Sequence, residues 1–159
     1  MSVLGIDLGV TGATVEMTET GDIVAIHDNP TTKEANGRSA TNAPLWAAIL
    51  ARSHARVAFI EWIAARPTDA RVAAFSFGRC RELAEGICGA LSIPIVWLTP
   101  PTWKRLANIP PGVESKDVAR TRAIARWPAH AELFKRKSDV DRAEGCLIGW
   151  AGLQRETRR

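Results

Sequence analysis

Two stretches of this chain carry an acid where an apolar residue belongs. "VLGIDLGV" (residues 3–10) reads as a buried strand yet contains Asp7, and "RVAFIEWI" (56–63) sets Glu61 among Val57, Phe59, Ile60 and Ile63. A carboxylate moved from water into such surroundings loses several kcal/mol of hydration unless something pairs with it. Two of them side by side repel and cannot both stay ionised without a cation. Oxygen ligands with no usable His or Cys cluster point to Mg²⁺ or Mn²⁺ rather than zinc. A third acid should then come from elsewhere, and "KSDVDRAEGCLIG" (137–149) offers Asp139, Asp141 and Glu144. Asp141 and Glu144 are three apart and share a helix face. Asp139 and Glu144 are five apart and diverge on a regular helix unless Asp139 lies just outside its start. "SDVD" also has the form of a capping box with Ser138 as N-cap, which would account for Asp141 without any chemistry. Glu144 ranks first because Ala143, Leu147, Ile148 and Ala151 mark the buried stripe beside it; Asp141 and Asp139 both stay open.

The elements that must position these acids follow from alternation and turn residues. Residues 3–8, "GATVEMTE" and 22–29 predict a three-stranded antiparallel meander, and 30–44 is polar and turn-rich enough to be read as a loop. "LWAAILARS" predicts a helix, "RVAFIEWI" a fourth strand, and "TDARVAAFSFGRCRELAEGICGAL" a long helix whose start is blurred by Pro67. "IPIVWLTP" is a fifth strand. "PTWKRLANI", "SKDVARTRAIARW" with Ser115 as N-cap, and "SDVDRAEGCLIGWAGLQRE" are the closing helices. Right-handed crossovers make strands four and five parallel to strand one, giving an α/β, five-stranded mixed sheet flanked by helices, the ribonuclease H-like arrangement. In that arrangement strands one and four are neighbours, so Asp7 and Glu61 meet.

With 159 residues, 46% of them hydrophobic and 24% charged, the chain fits a single domain, 1–159, with a basic tail from about 153 expected to be mobile. No apolar run is long enough to span a bilayer and no secretory signal is visible, so a cytoplasmic location is expected. Cys80, Cys88 and Cys146 have neither CxxC nor zinc spacing and are read as small core hydrophobes. The net charge is +4, and it is unevenly spread: residues 1–53 hold three Lys/Arg against six Asp/Glu, whereas 54–159 hold eighteen against eleven. A basic later part fits a polyanion partner.

In order along the chain, "GIDLG", "FIEW", "FSFGR", "IPIVWLTPPTWK", "ESKDVAR" and "KSDVDRAEGCLIG" resemble the RuvC family of Holliday-junction resolvases, especially the short phage and prophage forms. The resemblance spans Gly5 to about Gly152. It implies a homodimeric, Mg²⁺-dependent endonuclease for DNA recombination and repair that nicks four-way junctions symmetrically, with two ions per site. It makes Asp7 and Glu61 the first metal ligands and Glu144 the last acid, and it leaves the choice between Asp139 and Asp141 open. Lys104 and Lys116 fall on positions used near the scissile phosphate, where a cation offsets phosphate charge. A branch-migration helicase enters as a candidate partner, and no membrane does.

Some relatives carry an aromatic residue three past this glutamate; here that residue is Ala64, and Trp62 could stack on a base instead. Arg66, Arg71, Arg79 and Arg81 could follow phosphates, whereas Phe75 and Phe77 read as packing. On the residues alone, the same chemistry on flaps or forks, and a non-catalytic junction-binding module, stand beside this reading. "IDLGVTG" also resembles the phosphate loop of actin-like ATPases, but those need a second lobe that this length does not hold.

Overall fold

Two-residue alternation decides which way each strand faces, and it is most visible in the first strand. The computed structural model describes residues 1–64, 67–68, 70–110 and 115–158, with Ser115 and Lys116 described in backbone only. In chain order the elements are β1 (Ser2–Asp7), β2 (Ala13–Thr18), β3 (Ile23–Asp28), β4 (Thr31–Lys33), β5 (Ser39–Thr41), α1 (Ala43–Arg52), β6 (Ala55–Glu61), α2 (Arg71–Ala90), β7 (Ile95–Leu98), α3 (Pro100–Leu106), α4 (Ser115–Arg126) and α5 (Val140–Thr157). Two 3-10 turns, Pro128–Phe134 and Lys137–Asp139, join α4 to α5.

The main sheet has the order β3-β2-β1-β6-β7. β1 pairs antiparallel with β2 and β2 with β3, while β1–β6 and β6–β7 are parallel. This is the five-stranded mixed sheet that the sequence pattern predicts, with the two later strands added by helical crossovers. Leu4 and Ile6 of β1, with Ala58 and Ile60 of β6, pack under Trp46 and Leu50 of α1 and Ala84 and Cys88 of α2. Val3 of β1, with Val57 and Phe59 of β6, faces the other way, onto Trp103, Ala143, Leu147, Ile148 and Ala151. The odd-numbered positions of β1 and β6 therefore look toward α5. Asp7 and Glu61 are odd-numbered and end their strands, so they share that face.

Each fully buried Leu, Ile or Phe contributes roughly 1.5–3 kcal/mol to holding these layers together. Cys80, Cys88 and Cys146 are buried and unpaired, as small core residues should be. Burial alone pushes the Cys88 thiol up to about 11 and raises that of Cys146, which keeps both as inert thiols.

Two expectations need correcting. The stretch expected to be a loop contains β4 and β5, a short hairpin in which Thr31 pairs with Thr41 and Lys33 with Ser39; its turn uses Gly37 at φ +78°. β4 is exposed throughout, so it shows no apolar alternation to betray it. α5 runs as far as Thr157, with Leu153 buried, Arg155 donating to the Trp97 carbonyl and Glu156 paired with Arg56 at 2.6 Å. Finally, Phe75 and Phe77 are not packed: Phe75 is 69% exposed and Phe77 39%. Among the described residues, no helix is long and apolar enough to cross a membrane.

Candidate metal centre

Parallel pairing of β1 and β6 places Ile6 opposite Ile60, so Asp7 and Glu61 follow one another across the register at the carboxyl ends of adjacent strands. Asp7 is only 7% exposed. The backbone around it is held by a buried chain of hydrogen bonds. The Trp46 indole donates to the Thr14 hydroxyl at 2.9 Å, that hydroxyl donates to Asn29 Oδ1 at 2.9 Å, and Asn29 Nδ2 donates to the Asp7 and Gly9 carbonyls, each at 3.1 Å. Gly12 closes the same turn; a Cβ there would run into the Asp7 carbonyl. The β1–β2 turn is thereby fixed from three elements, and the Asp7 side chain has a defined origin.

The remaining acids come from α5. Asp141 and Glu144, three apart, present one carboxylate oxygen each, and these lie with one from Asp7 all within 4.8 Å of one another. Three like charges at that spacing repel by on the order of 3 kcal/mol per pair at an effective dielectric of 20. An ion holding oxygens at about 2.1 Å sets neighbouring ligands about 3.0 Å apart and opposite ones about 4.2 Å apart, so a bound cation would draw the three carboxylates closer than the 4.8 Å that bounds them here. The donor set is all oxygen, as Mg²⁺ or Mn²⁺ prefers. Asp7, Asp141 and Glu144 thus fit a divalent cation. Glu61 lies outside this group of three, and its Oε1 accepts a 2.7 Å hydrogen bond from the indole N–H of Trp103 on α3.

Asp139 behaves differently from Asp141. It is 2% exposed and stands at the N-cap position of α5, just outside its start, without a side-chain hydrogen bond to that helix. Its carboxylate, however, accepts from the Arg136 backbone N–H at 2.8 Å and from the Arg136 guanidinium at 2.8 and 3.1 Å. Those bonds hold the Asp139 carboxyl below the usual range, the hydrogen bonds from the Arg136 side chain contributing most. The reciprocal cap runs between Arg136 and Asp139, not between Ser138 and Asp141. Arg142, 3.7 Å from Asp139, also makes a fork to Asp28 with two 2.6 Å bonds. That network ties the start of α5 to the end of β3. Asp139→Asn is expected to cost about 1–3 kcal/mol of stability, because a buried partner of a guanidinium loses its charge. Asp141→Asn should lower the melting temperature less, since Asp141 is only half-buried. Thermal unfolding of both variants without added metal measures the contrast.

The expected DNA-facing residues fall into three situations. Lys104 is on α3, half-buried, with its ammonium 5.4 Å from the Trp103 ring centre. Trp62 is 37% exposed and already engaged: Arg81 lies 4.0 Å above its ring and Trp97 meets it edge to face at 5.6 Å. Arg79 pairs with Glu34 and rests 5.7 Å from the Phe75 ring, while Arg71 is exposed at the start of α2. Arg66 and the Lys116 side chain lie outside the described residues. What the sequence reading missed is Trp103, Asn29 and the Arg136–Asp139–Arg142–Asp28 network. Trp103 stood beside Lys104 in "TWK", but only the tertiary approach of α3 to β6 shows that its N–H has a carboxylate to meet.

The strand order, the mix of parallel and antiparallel pairs and the helical crossovers make this a ribonuclease H-like fold. Two solved structures share it over nearly the whole chain. Thermus thermophilus RuvC aligns with a TM-score of 0.57 and 15% identity over 99% of this chain and 97% of that one. T. thermophilus RuvC in complex with a Holliday junction substrate aligns with a TM-score of 0.59 and 11% identity, over 99% and 96%. No protein-family model and no curated protein matches the sequence.

Proposed function

We propose that this protein is a divalent-metal-dependent endodeoxyribonuclease that resolves four-way DNA junctions by paired nicks. The observation that carries the proposal is the convergence of Asp7, Asp141 and Glu144 within 4.8 Å at the strand ends of a RuvC-like fold. The three carboxylates, with Glu61 beside them, are the residues that would hold Mg²⁺ or Mn²⁺. When bound, the metal supplies positive charge for the phosphate and makes water a competent nucleophile near neutral pH. The protein's own part is placement: β1 and α5 fix the acids, and Lys104 offsets phosphate charge as it grows in the transition state. Hydrolysis breaks the bond from phosphorus to the 3′ oxygen, water adding to phosphorus, and leaves a 5′ phosphate and a 3′ hydroxyl that can be rejoined.

A four-way junction has approximate two-fold symmetry, so a homodimer with two equivalent sites is the assembly that suits paired cutting. The net charge of +7 on residues 54–159 supports a polyanionic substrate. The test is cleavage of a labelled four-way junction beside a flap, a fork and a linear duplex of the same sequence, with Mg²⁺ and with EDTA. Paired nicks at the junction that require metal are the expected result. Preferred cutting of flaps or forks would keep the chemistry and replace the substrate, and binding without cutting under every metal condition would overturn the enzyme.

A further inference from the structure

We infer that Trp103 is a positioning residue for the metal centre, acting through the carboxylate of Glu61. The inference rests on the reading above, that these acids hold a divalent cation. Trp103 is 1% exposed, so its indole N–H needs a partner, and that partner is Glu61 Oε1 at 2.7 Å. The terminal torsion of a glutamate is intrinsically broad and roughly two-fold. Anchoring one oxygen to a rigid buried ring fixes that torsion before any ligand arrives.

The arrangement of the elements makes the anchor stiff. α3 begins at Pro100, directly after β7, the strand next to β6, and Trp103 occupies its first turns with its N–H to the Thr99 carbonyl at 3.1 Å and its own carbonyl accepting from Ala107 at 2.8 Å. The ring packs in the same cluster as Val57, Phe59, Leu98 and Leu147. Its face lies 5.4 Å from the Lys104 ammonium, inside the range of a cation–π contact. One indole therefore touches both a candidate ligand and the candidate phosphate-neutralising lysine. Asp7, Asp141 and Glu144 come together without Glu61; the Trp103 bond sets where the fourth acid stands relative to them.

Trp103→Phe keeps a buried ring and removes the N–H. Loss of such an outer partner typically weakens metal binding by about 10-fold or more. Calorimetric titration of the purified protein with Mn²⁺ is expected to show that increase in dissociation constant. The Mg²⁺ concentration for half-maximal junction cutting should rise in parallel, and the rate should recover at high Mg²⁺. In a Glu61→Ala background Trp103→Phe should change Mn²⁺ affinity little further, because the side chain through which it acts is gone. If the phenylalanine variant melts early, benzothienylalanine at position 103, which keeps the bicyclic shape without the N–H, carries the same comparison.

Unchanged Mn²⁺ affinity in Trp103→Phe, with wild type binding normally, would overturn this inference and leave the nuclease reading standing. An equal loss in the Glu61→Ala background would also overturn it, reducing Trp103 to packing. A wild type that takes up no Mn²⁺ would overturn both.

Discussion

Asp7→Asn is expected to lower junction cleavage by more than about 10³-fold while leaving the protein folded and able to bind the junction. The substitution is nearly isosteric, and the backbone of Asp7 is held by Asn29 and by its β1–β2 pairing with Ala13, neither of which uses the carboxylate. Replacing one of three carboxylates clustered within 4.8 Å by an amide relieves like-charge repulsion, which offsets what the carboxylate's other contacts lose, so the metal-free variant should stay folded. The same change lowers the negative charge that a phosphate must approach, so junction affinity without metal should hold or tighten. Cleavage, Mn²⁺ titration and melting measured on one preparation separate these effects. Full cutting by Asp7→Asn would remove the acid that opened the functional reading. A variant that neither cuts nor folds would instead show that Asp7 holds β1 in place.

The parts of this site that the sequence revealed were those written in a local period. Asp7 and Glu61 stood out because each interrupts a strand-like apolar run, and both strands formed as read, in the neighbouring order that the crossover rule requires. Asp141 and Glu144 were legible as a pair because a spacing of three on a helix is a face. The role of Asp139 was not, since the same "SDVD" could cap a helix in two ways, and what decides is a guanidinium three residues upstream, presented by a 3-10 turn that has no strong sequence signature. The Asp28–Arg142 fork links residues 114 apart and depends on which face of β3 meets α5. Trp103 was hidden for a related reason. A tryptophan in an apolar helix reads as core, and it is core; its N–H meets the Glu61 carboxylate only through the approach of α3 to β6.

The close packing of α5 on β1 makes Gly5→Ala a substitution expected to damage the fold severely. Gly5 sits on the α5 side of β1, and a Cβ there would lie 2.6 Å from the Gly149 nitrogen and still nearer the Gly145 carbonyl oxygen. Both are helix backbone atoms and neither can rotate away. Relief requires α5 to lift off the sheet, which opens the packing of Val3, Phe59, Leu147 and Ile148. A cost of about 3 kcal/mol or more is expected, a fall in melting temperature of about 10 °C for a chain of this size. Gly78→Ala, on α2 with nothing within 4 Å of the new Cβ, is the control. It should be neutral or stabilising by up to about 1 kcal/mol. The two glycines also separate fold from site. Asp141 and Glu144 ride on the helix that Gly5→Ala would push away, and Asp7 lies two residues along the strand it pushes against. Mn²⁺ affinity measured well below the variant's melting temperature should therefore drop as well, with no acid touched. A Gly5→Ala protein that melts with wild type and binds Mn²⁺ equally well would mean that the glycine seam between β1 and α5 does not set the spacing of the acids.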